Sequence, residues 1–207
     1  EVSSPDSSFR MGVLLADMNR GLAQLLRDQS NSFSVTFPLS WSADGQQLAF
    51  SGGGDIHVFS MADAEMRNVS QSPTYTETYP AWSSDGRTLT FVATSNLLAF
   101  GTSINQYKDD RLEIVRVEQG QLVPQFAQTG KDPAYPIWSP DGNWLAFRTY
   151  EGQFVEKDGV TYLLSYKQIW IMDAHSGAIR VVAEDYENGP AWSPDSQQIA
   201  YTAWKRD

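Results

Sequence analysis

Cysteine is absent from the 207-residue chain, which removes disulfides, thiolate metal sites and cysteine nucleophiles in one step. Histidine is nearly absent. The two present, His57 and His175, have neither a second ligand at metal spacing nor the partners of a catalytic triad. Positive charge is also scarce: 15 Lys and Arg against 25 Asp and Glu leave a net charge of −10. Nucleic acids and anionic lipids are bound by clustered cations, so neither is expected as a partner. No apolar run approaches about 20 residues, so no membrane-spanning segment is expected. A Gly-x-Ser-x-Gly nucleophile elbow is missing. The glycine-rich stretch Gly52-Gly53-Gly54-Asp55 lacks the Gly-Lys-Ser/Thr ending of a phosphate loop. Together these absences predict a protein without metal or cofactor, and one that is not an enzyme. The chain opens on Glu1 with neither an initiator Met nor a signal-peptide pattern, which leaves an exported origin open.

What the chain does have is repetition. Trp138-Ser139-Pro140-Asp141-Gly142-Asn143-Trp144-Leu145-Ala146-Phe147 has three close copies, beginning at Trp41, Trp82 and Trp192. In all four, Ser follows Trp, and Asp stands three residues after it (Asp44, Asp85, Asp141, Asp195). An aliphatic residue lies at +7 and an aromatic one at +9. A proline precedes each Trp by two or three residues (Pro38, Pro80, Pro136, Pro190). Four matches in phase define a repeat protein. Ser-Pro-Asp-Gly is turn chemistry, with Pro presetting φ, Asp accepting from nearby N–H groups and Gly taking φ > 0. Period-two alternation on either side reads as a β-hairpin packed between two sheets. Calcium ligation by these aspartates would need denser oxygen ligands than the spacing offers, so they read as structural.

These residues resemble the WD40-like PD40 repeat of TolB-type β-propellers, which also occurs in propellers of the prolyl-oligopeptidase and dipeptidyl-peptidase families. The resemblance covers most of the chain and is specific for fold more than for function. It implies an all-β propeller of four-stranded antiparallel blades, with Trp on the innermost strand and Leu-Ala-Phe on the second. Third strands resembling "IYVMD" stand at Ile56-His57-Val58-Phe59, Leu112-Glu113-Ile114-Val115 and Ile169-Trp170-Ile171-Met172-Asp173. Fourth strands are expected near 66–69, 121–126 and 178–183.

Residues 1–8 are polar and irregular, within a single domain spanning 1–207. Residues 10–17 and 22–27 read as a third and a fourth strand, with a short helix over 14–26 as the rival. The chain ends on a first and a second strand, 191–203. Its two ends therefore supply the halves of one blade. Either they share it and close a ring of about four blades, or the chain is part of a larger propeller.

Successive motif tryptophans are 41, 56 and 54 residues apart. The first step suits a simple blade; the two longer ones contain insertions at about 95–110 and 150–167. The second insertion carries its own hairpin signal, Asp158-Gly159. Connections from second to third strands emerge beside the linkers between blades, here 71–79, 128–135 and 184–189. That face gathers Tyr75, Glu77, Tyr79, Tyr107, Tyr135, Tyr150, Tyr162, Tyr166 and Tyr186. Tyrosine combines contact area with a hydroxyl and is enriched at interfaces.

The expected function is thus a non-catalytic module for protein binding or assembly, working through that tyrosine-rich face. Resemblance to TolB implies an exported bacterial protein of the cell envelope, periplasmic or extracellular, with a cytoplasmic site left open. Four repeats where TolB has six, and no N-terminal α/β domain, mean that TolB's partner, the Pal lipoprotein, is not carried over. Two alternatives stay open: a small-ligand or glycan-binding propeller, and a regulatory propeller fragment of a larger peptidase- or kinase-type protein. The repeat itself is testable. Replacing Trp138 by Ala is expected to cost roughly 3–5 kcal/mol in a denaturant titration if the ring is core; a neutral result would undo the alignment.

Overall fold

The computed structural model describes residues 13–17, 19, 21–26, 35–95, 111–118, 121–129 and 133–203. Regular structure among them is all strand, arranged in five sheets. Sheet I holds β1 (Val13–Asp17) and β2 (Leu22–Leu26). Sheet II holds β3 (Val35–Trp41), β4 (Gln47–Gly52), β5 (Asp55–Ser60) and β6 (Met66–Asn68). Sheet III holds β7 (Tyr75–Trp82), β8 (Thr88–Ser95), β9 (Arg111–Glu118) and β10 (Gln121–Thr129). Sheet IV holds β11 (Pro133–Trp138), β12 (Trp144–Lys157), β13 (Val160–Asp173) and β14 (Ile179–Glu184). Sheet V holds β15 (Tyr186–Trp192) and β16 (Ile199–Ala203). Every ladder is antiparallel and joins strands adjacent in sequence. These are the meandering blades of a β-propeller.

All the expected third and fourth strands fall on β5, β9, β13, β6, β10 and β14. Residues 14–26 pair as β1 and β2 with no helix, Gly21 taking φ +64° beside the turn. Among the described residues β16 pairs only with β15, and β1 only with β2. Among the described residues no ladder joins the two ends into one blade, an arrangement compatible with part of a larger propeller. The second insertion is a continuation of β12 and β13, paired without interruption from Trp144↔Asp173 to Lys157↔Val160. Asp158 and Gly159 turn it with φ of +54° and +74°, as a two-residue hairpin loop requires. The first insertion lies outside the described residues beyond Ser95, as does Tyr107.

Linkers between sheets are shorter than expected. Tyr75, Glu77, Tyr79, Tyr135 and Tyr186 are strand residues of β7, β11 and β15. Tyr75-Thr76-Glu77-Thr78-Tyr79 is rich in aromatic and β-branched residues, which favour the pleated surface over a loop.

Each interface between sheets has its own apolar cluster. Val13 and Leu26 meet Leu48, Phe50 and Phe59; Ala49, Ile56 and Val58 meet Trp82, Leu89 and Phe91. Val92 and Leu112 meet Leu145, Phe147 and Met172, and Ile169 with Ala183 meets Tyr186. The alternation explains the motif. Residues at +7 and +9 point back to the preceding sheet, and the one at +8 points forward. At β16 the forward side has no covering sheet among the described residues, so Ala200 and Thr202 are exposed where Ala49 and Ser51 of β4 are buried.

The motif tryptophans tie each sheet to the one before. The Trp138 indole N–H donates to Thr90 Oγ1 at 3.0 Å, and that of Trp192 donates to the Ile137 carbonyl at 3.3 Å. The Trp82 backbone N–H donates to Ser40 Oγ at 2.9 Å. Among the described residues Trp41 has the two-stranded sheet I behind it, and it stays 46% exposed. Identical motif residues therefore sit in different environments, because a neighbouring sheet decides their burial.

The turns nest against one another in the same order. A Cβ built on Gly142 would lie 2.7 Å from Ser84 Oγ in the preceding sheet, whereas one on Gly45 meets nothing within 4 Å. Both glycines have φ near +70°. Gly142→Ala is therefore expected to cost up to about 1 kcal/mol more than Gly45→Ala, because the Ser84 hydroxyl must turn away from the new methyl. Equal costs in urea titrations would show that the turns do not touch.

Candidate functional site

The four repeated turns share one network. Ser42, Ser83, Ser139 and Ser193 each donate the hydroxyl to Oδ1 of the aspartate two residues on, at 2.5–2.6 Å. Each hydroxyl oxygen also accepts the backbone N–H five residues on, at 2.9–3.0 Å. The same Oδ1 accepts the N–H of Gln46, Arg87, Asn143 or Gln197. Donors aimed at a carboxylate favour its charged form. The Ser139 hydroxyl, then the Asn143 N–H, lower Asp141 to about 2. Asp44 and Asp195 are lowered in the same way by Ser42 and Ser193. At Asp85 burial pushes upward, but Ser83 and the Arg87 N–H outweigh it. All four carboxylates are committed to holding turns. A cavity of about 350 Å³ between two of these turns, bordered by Asp85, Trp138, Asp141 and His175, thus offers carboxylates already engaged. Among the described residues no group of three or more His, Asp or Glu is placed to hold a metal ion.

Tyrosines gather on the opposite part of the first strands, at a bulge repeated in sheets II to V. On β7 the register steps from Thr78↔Val92 to Ala81↔Thr90, and on β11 from Ala134↔Arg148 to Ile137↔Ala146. Tyr79-Pro80 and Tyr135-Pro136 thus oppose single residues of the second strand. Proline cannot donate to a ladder, so a bulge accommodates it. Tyr79 and Tyr135 take φ of +56° and +51°, uncommon for a bulky residue. The bulges re-aim both rings, which meet across the sheet boundary with centroids 4.2 Å apart. Arg148, on β12 beside the second bulge, lays its guanidinium carbon 3.6 Å from the Tyr135 centroid and 5.7 Å from that of Tyr186.

Of the residues expected at a binding face, Tyr79, Tyr135 and Tyr186 are therefore brought together, by an arginine not singled out from sequence. The signal was present. Arg148 stands ten residues after its Trp, where the other repeats have Ser51, Val92 and Thr202. Tyr150, two residues further along β12, is exposed. Tyr162 and Tyr166 lie on β13, and their side chains fall outside the described residues. Tyr75 packs instead against the core between sheets II and III.

Glu77 is buried at that same boundary, 4% exposed. Its N–H donates to the Gly54 carbonyl at 2.8 Å, while its Oε2 has no hydrogen-bond partner. Burial raises its pKa to about 7; the Ser70 hydroxyl opposes the rise, and the charges of Asp55 and Glu113 add to it.

No family model matches the chain. The uncharacterized peptidase YuxL of Bacillus subtilis (strain 168) is 27% identical over 139 residues, a match covering 52% of this chain and 20% of YuxL. Among solved structures, the tricorn protease aligns with a TM-score of 0.62 at 11% identity, over 93% of this chain and 22% of that one. Kuenenia stuttgartiensis hydrazine synthase aligns at 0.65 and 16% identity, over 92% and 55%. At such identities the structures show the fold, a β-propeller. The chain spans about a fifth of the curated relative it matches.

These comparisons correct the expectation that the protein is not an enzyme. The curated relative is named an uncharacterized peptidase, so the missing catalytic motifs do not set this chain apart from enzymes. That expectation came from missing catalytic motifs, and a propeller's own residues say nothing about chemistry housed elsewhere in a longer polypeptide.

Glu77 gives the pH prediction of this region. A carboxyl whose folded pKa is raised gains no stability from ionising early. Folded protein therefore loses stability as pH rises from about 4.5, where the unfolded chain ionises, to about 7, where the folded one does. Glu77→Gln is expected to melt higher than the parent by a margin that grows across this window and levels off above it. Parallel melting curves from pH 4.5 to 8 would refute the assignment.

Proposed function

We propose that the chain is the propeller part of a longer peptidase-type enzyme, built from repeats of the PD40 kind. The likeness to YuxL carries this reading, because it lies in sequence as well as in fold. The forward side of β16, uncovered among the described residues, and the exposed Trp41 are in keeping with it, since further blades would cover both. In such an enzyme the propeller is a rigid, sheet-built wall beside the path of the substrate. Exposed Tyr135, with Tyr79 and Tyr186 packed behind it in the first-strand seam, is the part that meets the peptide. The expected contact surface is then kept, with a substrate as its occupant.

Purification from the native source tests the proposal. The chain is expected within a polypeptide well above 23 kDa that hydrolyses members of a peptidyl-p-nitroanilide panel. A native protein of 23.1 kDa, or a longer one inactive on every such substrate, overturns it.

A further inference from the structure

The fold does not require an arginine at position 148, since Ser51, Val92 and Thr202 serve at the same place in the other repeats. Its guanidinium is nonetheless carefully housed. One face lies on Tyr135 at 3.6 Å, and Tyr186 stands 5.7 Å away. Space for it comes from Gly189, the residue that precedes proline on β15 as Tyr79 and Tyr135 do on β7 and β11. A Cβ at Gly189 would lie 3.3 Å from Arg148 Cδ and 3.5 Å from Nε. A tyrosine in this third copy would occupy the place that the arginine takes.

Stacking accounts for the plane of the guanidinium but leaves its edges open. The five N–H donors lie in that plane. Nε is buried without a hydrogen-bond partner, and no ion pair to Arg148 occurs among the described residues. Buried Nε is out of a ligand's reach, but the two terminal nitrogens carry no hydrogen bond among the described residues. A stacked guanidinium with that outer edge free matches one class of ligand closely: a planar carboxylate, which accepts two parallel N–H bonds from the terminal nitrogens. Beside that edge, Tyr135 and Tyr150 are each 42% exposed, and alternation along β12 puts residues 148 and 150 on the same side. An apolar group next to the carboxylate would lie on these rings.

We propose that Arg148 reads the terminal carboxylate of a peptide bound along this seam. The carboxylate rests on the geometry; the choice of a peptide to bear it rests on the peptidase-type reading above.

The test uses the full chain, labelled with ¹⁵N, and follows the arginine Nε–H resonances during titration with acetyl-Ala-Ala-Phe as free acid and as C-terminal amide. Assignment comes from the signal lost in Arg148→Gln. The free acid is expected to shift that signal saturably and to bind at least about tenfold more tightly than the amide. Arg148→Gln should abolish the preference. Arg148→Lys keeps the stem and the charge but not the fork, and should lose most of the preference at an unchanged melting temperature, so a folding defect in the glutamine variant would not blunt the test. Equal affinity for acid and amide, or a preference surviving in both variants, overturns the proposal. So does binding of trigalacturonate, a carboxylate on a sugar, in place of any peptide. Absence of hydrolysis by the longer enzyme would remove the peptidase reading and leave this measurement standing.

Discussion

A serine hydroxyl donating to an aspartate carboxylate two residues on closes each repeated turn, and the remainder of the architecture depends on it. The same hydroxyl oxygen accepts the N–H that opens the second strand, so turn and strand are locked in one phase. With that phase set, the +7 and +9 side chains face backward and the +8 side chain forward. Slipping by one residue would exchange the two faces and send Phe50 and Phe147 away from the sheets they pack on. Negative charge suits this place because the partners are donors. The aspartates hold their protons weakly, and the turns keep this support until the pH falls through their lowered pKa values.

Departures from the repeat are as informative as the repeat. In the fourth motif Ser196 replaces glycine and takes φ of +61°, a conformation that disfavours a side chain. Its hydroxyl compensates by accepting the Asp141 N–H at 3.0 Å, linking sheets IV and V. Gly189 departs in the opposite sense, giving up a side chain where two other copies have tyrosine, and Arg148 fills the gap. Both substitutions exchange local convenience for a contact between neighbouring sheets.

Much of the fold was legible because its signals are local. Trp-Ser-x-Asp marks the turn, alternation marks the strands, and Asp158-Gly159 marks the long hairpin, all within a few residues. What could not be read lies between sheets. The burial of Trp82 and the exposure of Trp41 differ through what stands behind each ring. The bulges at Tyr79-Pro80 and Tyr135-Pro136 fall at the ends of segments that read as linkers, and their register shifts appear only once the second strand is alongside. Three of the seam tyrosines were named from composition, but the arginine joining them was not, since its role appears only when β12 and β15 are side by side. The link to peptidases was legible only through the repeat's resemblance, as the alternative of a propeller fragment of a larger peptidase-type protein, and the likeness to YuxL favours that alternative over the main reading.

Every ladder among the described residues joins strands that follow one another along the chain, so each sheet can form before the next has been synthesised. Contacts that bridge sheets need only the neighbour before. Assembly can therefore run from the N-terminus in step with translation, with little loop-closure entropy to overcome at any stage. The Tyr79–Tyr135–Arg148–Tyr186 stack crosses sheets III to V, so it cannot exist until β15 is in place. Its ordering would mark the moment at which the last of these sheets has docked, making the seam a natural clock for the order of folding.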